Sequence, residues 1–364
     1  MNKWKLTIID RYIIKKFLGT FFFALILIIC IAVIFDLAEK IDDFMEKKAT
    51  FTGVVFVYYF NFIPYFAVLF SSLFTFISVI FFTSKMAYNT EIIAILNSGM
   101  SFRRLMYPYL LSAAFISTFS FMLSNYVLPT SNKKRLAFEE IYVRSHPYDY
   151  TKHNIHKQVD DGVFIYMKNF TNSTETGWQF SMEKYDGKKL VSKLMADRVA
   201  WDSIKHKWRA YNVYIRDING MREKLTKKDH VDTTFHIGPE EFKRRDNFVD
   251  AMSLGELSRY IKTLKMQGSD NLSTYIIEAE KRKAYPFSTF ILTMIGVTLS
   301  TRKVRGGIGV HIGTGLALSF AYILFMQFSS QFAINGALSP LLAAWIPNII
   351  FTIISVYLYR IAPK

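Results

Sequence analysis

The residues of this sequence that could do chemistry do not form the arrangement of an enzyme. Seven histidines and one cysteine are present, and His153 and His156 lie three residues apart without a cysteine or an acid to complete a metal-ligand set. The sequence contains no G-x-x-x-x-G-K-S/T run to hold nucleotide phosphates and no G-x-S-x-G run to present a nucleophile. These observations indicate a protein that is not an enzyme and needs no metal or cofactor.

A different combination of residues lies in the segment Asn89–Leu105, which reads NTEIIAILNSGMSFRRL. Thr90 is placed to cap a helix whose first turn holds Glu91, where the positive end of the helix dipole favours an acid. Two turns of aliphatic surface follow, and then a glycine stop at Gly99 and two arginines. Such a helix could lie on a membrane surface or fill a groove on a partner protein, and composition does not choose between them.

The elements that must position this segment are long uncharged runs. Hydrophobic residues make up 51% of the 364 residues, and charged residues only 20%. Because a helix that crosses a bilayer needs about 20 mainly apolar residues, these runs predict an integral membrane protein. Six spans are predicted, at about 17–35, 52–83, 105–128, 285–301, 308–331 and 341–359.

The charges that flank the spans predict the orientation, because basic residues are concentrated on the cytoplasmic side of membrane proteins. Lysine and arginine are concentrated before span one, between spans two and three, between spans four and five, and in the tail. The loop after span one is net acidic. We therefore expect both termini to be cytoplasmic, and the long segment between spans three and four to lie on the opposite side.

That long segment predicts an antiparallel β domain of sandwich or jelly-roll type at 129–252, followed by connecting helices at 253–283 and a second membrane part at 284–364. Alternating segments predict four strands, at Gly162–Phe170, 178–185, Lys193–Asp202 and Lys207–Gly220. Hairpin turns are predicted at Asp186-Gly187 and Asn219-Gly220. The first connecting helix is predicted to begin at Ser253 with a capping box to Glu256 and to end at Gly268.

Two further sets of charges allow more than one interpretation. The β segment carries more basic than acidic residues, which fits either an ordinary solvated surface or a surface for an anionic ligand such as a phosphorylated lipid. Asp36, Glu39 and Lys40 follow span one at its outer boundary. They either mark the water interface or line a mouth that faces a substrate.

Two stretches resemble the signature regions of the LptF/LptG family: DRYIIKKFLGTFFF at Asp10–Phe23 and TEIIAILNSGMSFRRL at Thr90–Leu105. This family comprises the permease subunits of the ABC transporter that exports lipopolysaccharide in Gram-negative bacteria. The resemblance implies six transmembrane helices in the inner membrane and an inserted periplasmic antiparallel β-jelly-roll-like domain. It implies as partners a cytoplasmic ABC ATPase dimer, a second six-span permease, a periplasmic bridge protein of jelly-roll type and lipopolysaccharide.

The resemblance also implies roles for individual residues. In the family, the helix between spans two and three is a coupling helix that docks on the ATPase, which implies Glu91 as the contact acid. Ile92, Ile95 and Leu96 would then form the docking surface, followed by Arg103 and Arg104.

A lateral opening near spans one and five is implied as well, with Asp36, Glu39 and Lys40 as the candidate lipid gate. Some LptG-type members carry a basic residue where this chain has Asp36. Either Lys40 substitutes for it or the partner permease supplies the charge. Of the two subunit types, the LptG-like one is preferred.

Two other classes of function remain. One is an ABC permease that transmits force to outer partners without moving lipid, but such permeases often carry their outer domain after the first span, and here it follows the third. The other is a membrane-anchored scaffold without an ATPase, which would need no docking helix. A membrane enzyme and a nucleic-acid-binding protein are disfavoured because the sequence lacks the motifs of either class.

Overall fold

The computed structural model describes residues 6–144, 151–233, 237–239, 242, 246–266, 272–301 and 307–362. The chain divides into two compact units. The first comprises Met1–Phe138, Asp250–Gly255 and Ser273–Lys364, and the second comprises Glu139–Val249 and Glu256–Leu272. The first unit is helical, and the second is built mainly on a β sheet.

The helices of the chain are long, and two are preceded by short π-helical segments at Gly53–Tyr59 and Leu123–Val127. Their bounds are α1 Ile8–Glu46, α2 Phe60–Tyr88, α3 Glu91–Asn97, α4 Phe102–Met122, α5 Leu128–Tyr142, α6 Leu254–Met266, α7 Leu272–Ser300, α8 Gly307–Ile334 and α9 Pro340–Ile361.

Five helical stretches within the described ranges are long and apolar enough to cross a membrane. They are Ile8–Glu46, Gly53–Tyr88, Phe102–Tyr142, Gly309–Ile334 and Pro340–Ile361. The predicted class, a helical membrane protein, is thus confirmed. The predicted span at 285–301 is the second half of α7, whose buried residues include Ser288, Thr289 and Thr293. A helix that is covered by its neighbours needs less apolar surface than one that faces lipid. The second half of α7 is not among the five apolar stretches, so the sixth span stays a prediction.

α1 continues well beyond its predicted span and carries the charges that the sequence placed in a loop. Asp36, Glu39 and Lys40 all lie within this helix. Oppositely charged side chains four residues apart stabilise a helix, and Asp36 and Lys40 have this spacing. Because these three residues lie in a helix and not in a loop, the helix fixes the direction of each side chain.

Two apolar clusters hold the helical unit together. One joins α1, α2 and α4 through stacked rings: the centroids of Phe17 and Phe82 lie 5.5 Å apart, and those of Phe82 and Tyr109 lie 5.4 Å apart. The other joins α2, α7, α8 and α9, where the Tyr322 hydroxyl donates to Oδ1 of Asn348 at 2.9 Å. Both clusters need close approach between helices.

This close approach predicts different effects for two glycines of α8. A Cβ at Gly315 would overlap with Cδ1 of buried Ile80, whereas a Cβ at Gly313 would meet no described atom within 4 Å. We expect Gly315→Val to destabilise the protein by about 2 kcal/mol through overpacking, and Gly313→Val to leave the stability nearly unchanged. Thermal unfolding in detergent, followed by circular dichroism, measures the difference. Equal unfolding midpoints for the two variants would contradict the close packing of α8 on α2.

The β unit is one six-stranded antiparallel sheet in which each strand pairs with the next along the chain. The described strands follow one another as a meander, whereas a jelly roll joins its strands through Greek-key connections. The antiparallel β class is thus confirmed, and the jelly-roll arrangement stays a prediction. The strands are β1 Thr151–Asp160, β2 Val163–Thr171, β3 Thr176–Asp186, β4 Lys189–Asp202, β5 Lys207–Asn219 and β6 Arg222–Thr233. The four predicted strands correspond to β2–β5, and the two edge strands were not predicted.

The turns and the core of the sheet agree with the sequence. The hairpins occur where they were predicted, but Asp186 pairs with Lys189 and Asn219 with Arg222, so each two-residue loop begins at the glycine, one residue later than predicted. Gly187 and Gly220 have φ values of +59° and +63°, which suit the first position of such a loop. The core centres on Trp208, whose ring nitrogen donates to the Ile237 carbonyl at 2.8 Å. α6 is also confirmed as a helix, whereas its predicted stop at Gly268 lies outside the described residues.

Candidate functional site

α3 is a seven-residue helix that joins α2 to α4. Thr90, predicted to cap it, instead has a left-handed backbone with φ +65°, and its hydroxyl donates to the Asn89 carbonyl at 2.6 Å. The prediction of a Thr90 cap is therefore wrong, because the turn from α2 into α3 is too tight for the extended backbone that a capping residue adopts. We call residues 89–104, from this turn to the first turn of α4, the α3 segment.

The aliphatic residues of α3 divide into a buried side and an exposed side. Ile92 is fully buried, and Ile95 and Leu96 are partly buried against the same cluster. Ile93, by contrast, is 41% exposed. Ile92 consequently fixes α3 to its own protein, which corrects its prediction as part of a docking surface. The accessible apolar side chain is its neighbour Ile93.

Glu91 lies at the start of α3 and is held by two side chains. The Tyr12 hydroxyl of α1 donates to Oε2 of Glu91 at 2.8 Å, and the Asn89 amide donates to Oε1 at 3.4 Å. The carboxylate remains partly exposed. It is thus oriented by α1 and still accessible to a basic group on another protein.

The two arginines after α3 have different surroundings. Arg103 is exposed. The Arg104 guanidinium donates two hydrogen bonds to the carboxylate of Asp10, one of them 2.7 Å long, although 94 residues separate the two along the chain. Asp10 is 1% exposed and also accepts from the backbone N–H and the hydroxyl of Thr7. Arg104 therefore makes an internal contact, and its predicted role as a docking residue stays a prediction.

The second candidate group lies near the other end of α1. The Lys40 ammonium contacts Oδ1 of Asp36 at 2.6 Å and donates to the Tyr58 hydroxyl at 2.5 Å. The Tyr59 hydroxyl donates to Oδ2 of the same aspartate at 3.3 Å. Glu39 is exposed on α1 and does not belong to this group. The structure thus brings together Asp36 and Lys40, and it adds two tyrosines from the π-helical segment before α2.

The Asp36–Lys40 pair predicts a stability effect, because both side chains are mostly buried, at 14% and 18% exposure. Lys40→Met should destabilise the protein by about 2 kcal/mol, since the Asp36 carboxylate would lose its cation in a poorly solvated place. The double variant Asp36→Leu/Lys40→Met should recover most of that loss because it leaves no unpaired charge. Unfolding midpoints of the three proteins test this. A double variant as unstable as Lys40→Met would show that the pair itself does not matter.

Asp10, Tyr12, Tyr58 and Tyr59 were not predicted as functional residues. Thr7 and Asp10 do form a capping box, a pattern visible in the sequence as T-x-x-D. That pattern explains the start of α1 and gives no indication of the contact with Arg104. Tyr12 belongs to the D-R-Y stretch, and the sequence predicts no separate role for it.

The α3 segment therefore has an arrangement suited to contacting another protein. It presents a carboxylate and an isoleucine outward, while a buried isoleucine and a bidentate ion pair hold its base. Short amphipathic helices of this kind bind by placing a few apolar side chains in a groove, and charged neighbours select the partner. Within the described ranges, no group of three or more His, Cys, Asp or Glu side chains is placed to hold a metal ion.

Comparison with known proteins identifies the family. Residues 11–361 match the family described as Lipopolysaccharide export system permease LptF/LptG. Two curated relatives, the lipopolysaccharide export system permease proteins LptG of Escherichia coli (strain K12) and of Escherichia coli O6:H1, are each 22% identical over 202 residues. The alignment covers 55% of this chain and 56% of each relative, so the chain spans about half the length of the relatives it matches. The family match covers almost the whole chain, and the chain belongs to the LptF/LptG family of lipopolysaccharide export system permeases.

Proposed function

We propose that this protein is a permease subunit of an ABC transporter that extracts lipopolysaccharide from the inner membrane and passes it to a periplasmic bridge. The observation that carries the proposal is the family match over residues 11–361. ATP hydrolysis takes place in a separate cytoplasmic ATPase dimer, and a second six-span permease completes the path. The permease itself is not catalytic. The LptG-type relatives favour an LptG-like subunit.

The α3 segment is the proposed docking site for the ATPase. Glu91 meets a basic residue of the ATPase, and Ile93 enters an apolar pocket, with the partly buried Ile95 and Leu96 at its margin. Arg103, which is exposed, lies at the edge of the contact. The support is chemical: α3 joins two membrane helices, and its exposed side combines one acid with one large apolar side chain.

The orientation and the division into domains complete the proposal. Both termini and the α3 segment face the cytoplasm, as the distribution of basic residues indicates. α7 provides the sixth span, and residues 129–252 lie in the periplasm, where the β sheet receives the acyl chains and contacts the bridge. The Asp36–Lys40 pair and, separately, the exposed Glu39 lie beside the lipid gate.

Reconstitution tests the proposed function. The complex that co-purifies with this chain is placed in vesicles with lipopolysaccharide, or in matched vesicles of phospholipid alone. We expect ATP-dependent transfer of lipopolysaccharide to a soluble periplasmic bridge protein, and faster ATP hydrolysis than in the phospholipid vesicles. Transfer that does not depend on ATP, or ATP hydrolysis that is identical in both vesicles, would contradict lipid export.

A further inference from the structure

We propose that the first turn of α1 is clamped to both ends of the α3 segment, so that α1 moves with the docking helix. The clamp consists of Asp10 with Arg104 and of Tyr12 with Glu91. It rests on the proposed function and deepens it, because it names the residues that carry motion from the ATPase contact into the membrane. Asp10 is a positioning residue in this scheme, since it acts through Arg104.

The two contacts hold the α3 segment at its two ends. Glu91 begins α3, and Arg104 lies in the first turn of α4, after the segment has turned at Gly99. The α1 partners Asp10 and Tyr12 lie two residues apart in one turn of helix. Between the two contacts, Ile92 is buried in the same apolar cluster as Ile13 and Phe17 of α1. A displacement of α3 therefore acts on α1 through two hydrogen-bonded contacts, beside an apolar cluster that α1 and α3 share.

The Asp10 carboxylate joins Arg104 to the beginning of α1. It accepts four hydrogen bonds, two from Arg104 and two from Thr7. The Thr7 bonds belong to the capping box of α1, so the ion pair connects directly to the helix terminus. A bidentate arginine–carboxylate pair has a fixed geometry, and burial of the carboxylate protects the pair from screening by salt.

Among the described residues, the N-terminal half of α1 makes side-chain hydrogen bonds to other helices only through the clamp. Below the clamp, the described buried residues of α1 form one stripe at every fourth position: Ile13, Phe17, Phe21, Leu25 and Ile29. Apolar packing of this kind is non-directional. The clamp adds hydrogen bonds of fixed direction, and these transmit a pull along the helix axis.

The first arm of the test uses the full-length chain alone in detergent and does not depend on an ATPase. Asp10→Asn keeps the shape of the side chain, but it removes the charge and places an amide donor against Arg104. Hydrogen exchange should become about tenfold faster in both α3 and the first turn of α1. The control Asp42→Asn makes the same chemical change at an exposed position of α1 and should alter neither. Faster exchange in α1 alone, or in neither segment, overturns the clamp.

The second arm measures transmission in the assembled complex. Cys30, the single cysteine of the chain, lies exposed on α1 and can carry an environment-sensitive fluorophore when the partner chains are free of cysteine. In Asp10→Asn, we expect the ATPase to co-purify and hydrolyse ATP within about twofold of normal. The ATP-dependent change in fluorescence at Cys30 should fall about tenfold. Asp42→Asn should again match the unchanged protein.

The outcomes separate the clamp from the proposed function. If fluorescence at Cys30 responds normally to ATP in Asp10→Asn, the clamp is overturned while the transporter remains. If Asp10→Asn loses the ATPase itself, the pair only supports the docking helix, and the clamp is overturned as well. If the unchanged chain binds no ATPase, the proposed function fails, and the exchange arm still decides whether Asp10 holds α3 to α1.

Discussion

Replacing Ile93 with aspartate is expected to weaken binding of the cytoplasmic ATPase by about thirtyfold or more without unfolding the permease. Ile93 is 41% exposed on α3, so a charge there stays in water in the isolated chain. In the complex, the aspartate would enter an apolar pocket, and loss of a central apolar contact typically costs about 2 kcal/mol or more. Co-purification of the ATPase with tagged permease, at matched expression, measures the loss.

The adjacent isoleucine provides the matched control. Ile92 is fully buried, so Ile92→Ala should destabilise the permease by about 2–4 kcal/mol through the cavity that it leaves. The two variants thus separate two properties: Ile93→Asp should lose the partner and keep the unfolding midpoint, while Ile92→Ala should lower the midpoint. If Ile93→Asp retained normal ATPase binding, the exposed side of α3 could not be the docking surface.

Reversing the charge of Glu91 should have the larger effect. In Glu91→Lys, an attractive contact with a basic residue of the ATPase becomes a repulsive one, and close charge pairs at interfaces are worth about 2–5 kcal/mol. We therefore expect ATPase binding to fall by about a hundredfold and lipid-stimulated ATP hydrolysis to fall with it. Binding measured at increasing salt should show a smaller difference between the two proteins, because salt screens exposed charges.

Tyr12→Phe separates the two contacts of Glu91. This variant removes the hydroxyl that donates to Oε2 of Glu91 but leaves the carboxylate and its charge. Binding of the ATPase should remain within about threefold of normal, because one hydrogen bond to a charged, solvent-accessible group contributes little more than about 1 kcal/mol. Equal losses in Tyr12→Phe and Glu91→Lys would mean that Glu91 serves only to hold α3 against α1, and the docking role would be withdrawn.

The sequence predicts the class of the fold because long apolar runs and alternating strands are local patterns. It does not predict burial or pairing that depends on residues far away along the chain. Four large aliphatic residues in a seven-residue helix do not reveal which side is buried. The apolar cluster formed by several helices buries Ile92, whereas Ile93 stays exposed. The pairing of Asp10 with Arg104 across 94 residues has no local signature either.

The edge strands and the helix ends were missed for related reasons. β6 is rich in lysine and is mostly exposed, so it lacks the alternation that predicts a strand. It forms because β5 offers a row of backbone partners. α1 runs through Asp36 and Lys40 because this pair and the two tyrosines satisfy both charges, a contact that depends on a second helix.

The most direct test of the central claim is the composition of the assembly that contains this chain. Tagged protein is extracted from its native membranes in a gentle detergent, and the intact complex is weighed by native mass spectrometry. The prediction is two copies of a soluble ATPase and one homologous six-span chain for each copy of this protein. Recovery of the chain alone, or as a simple homodimer, under conditions that preserve known transporters would contradict a coupling role for α3.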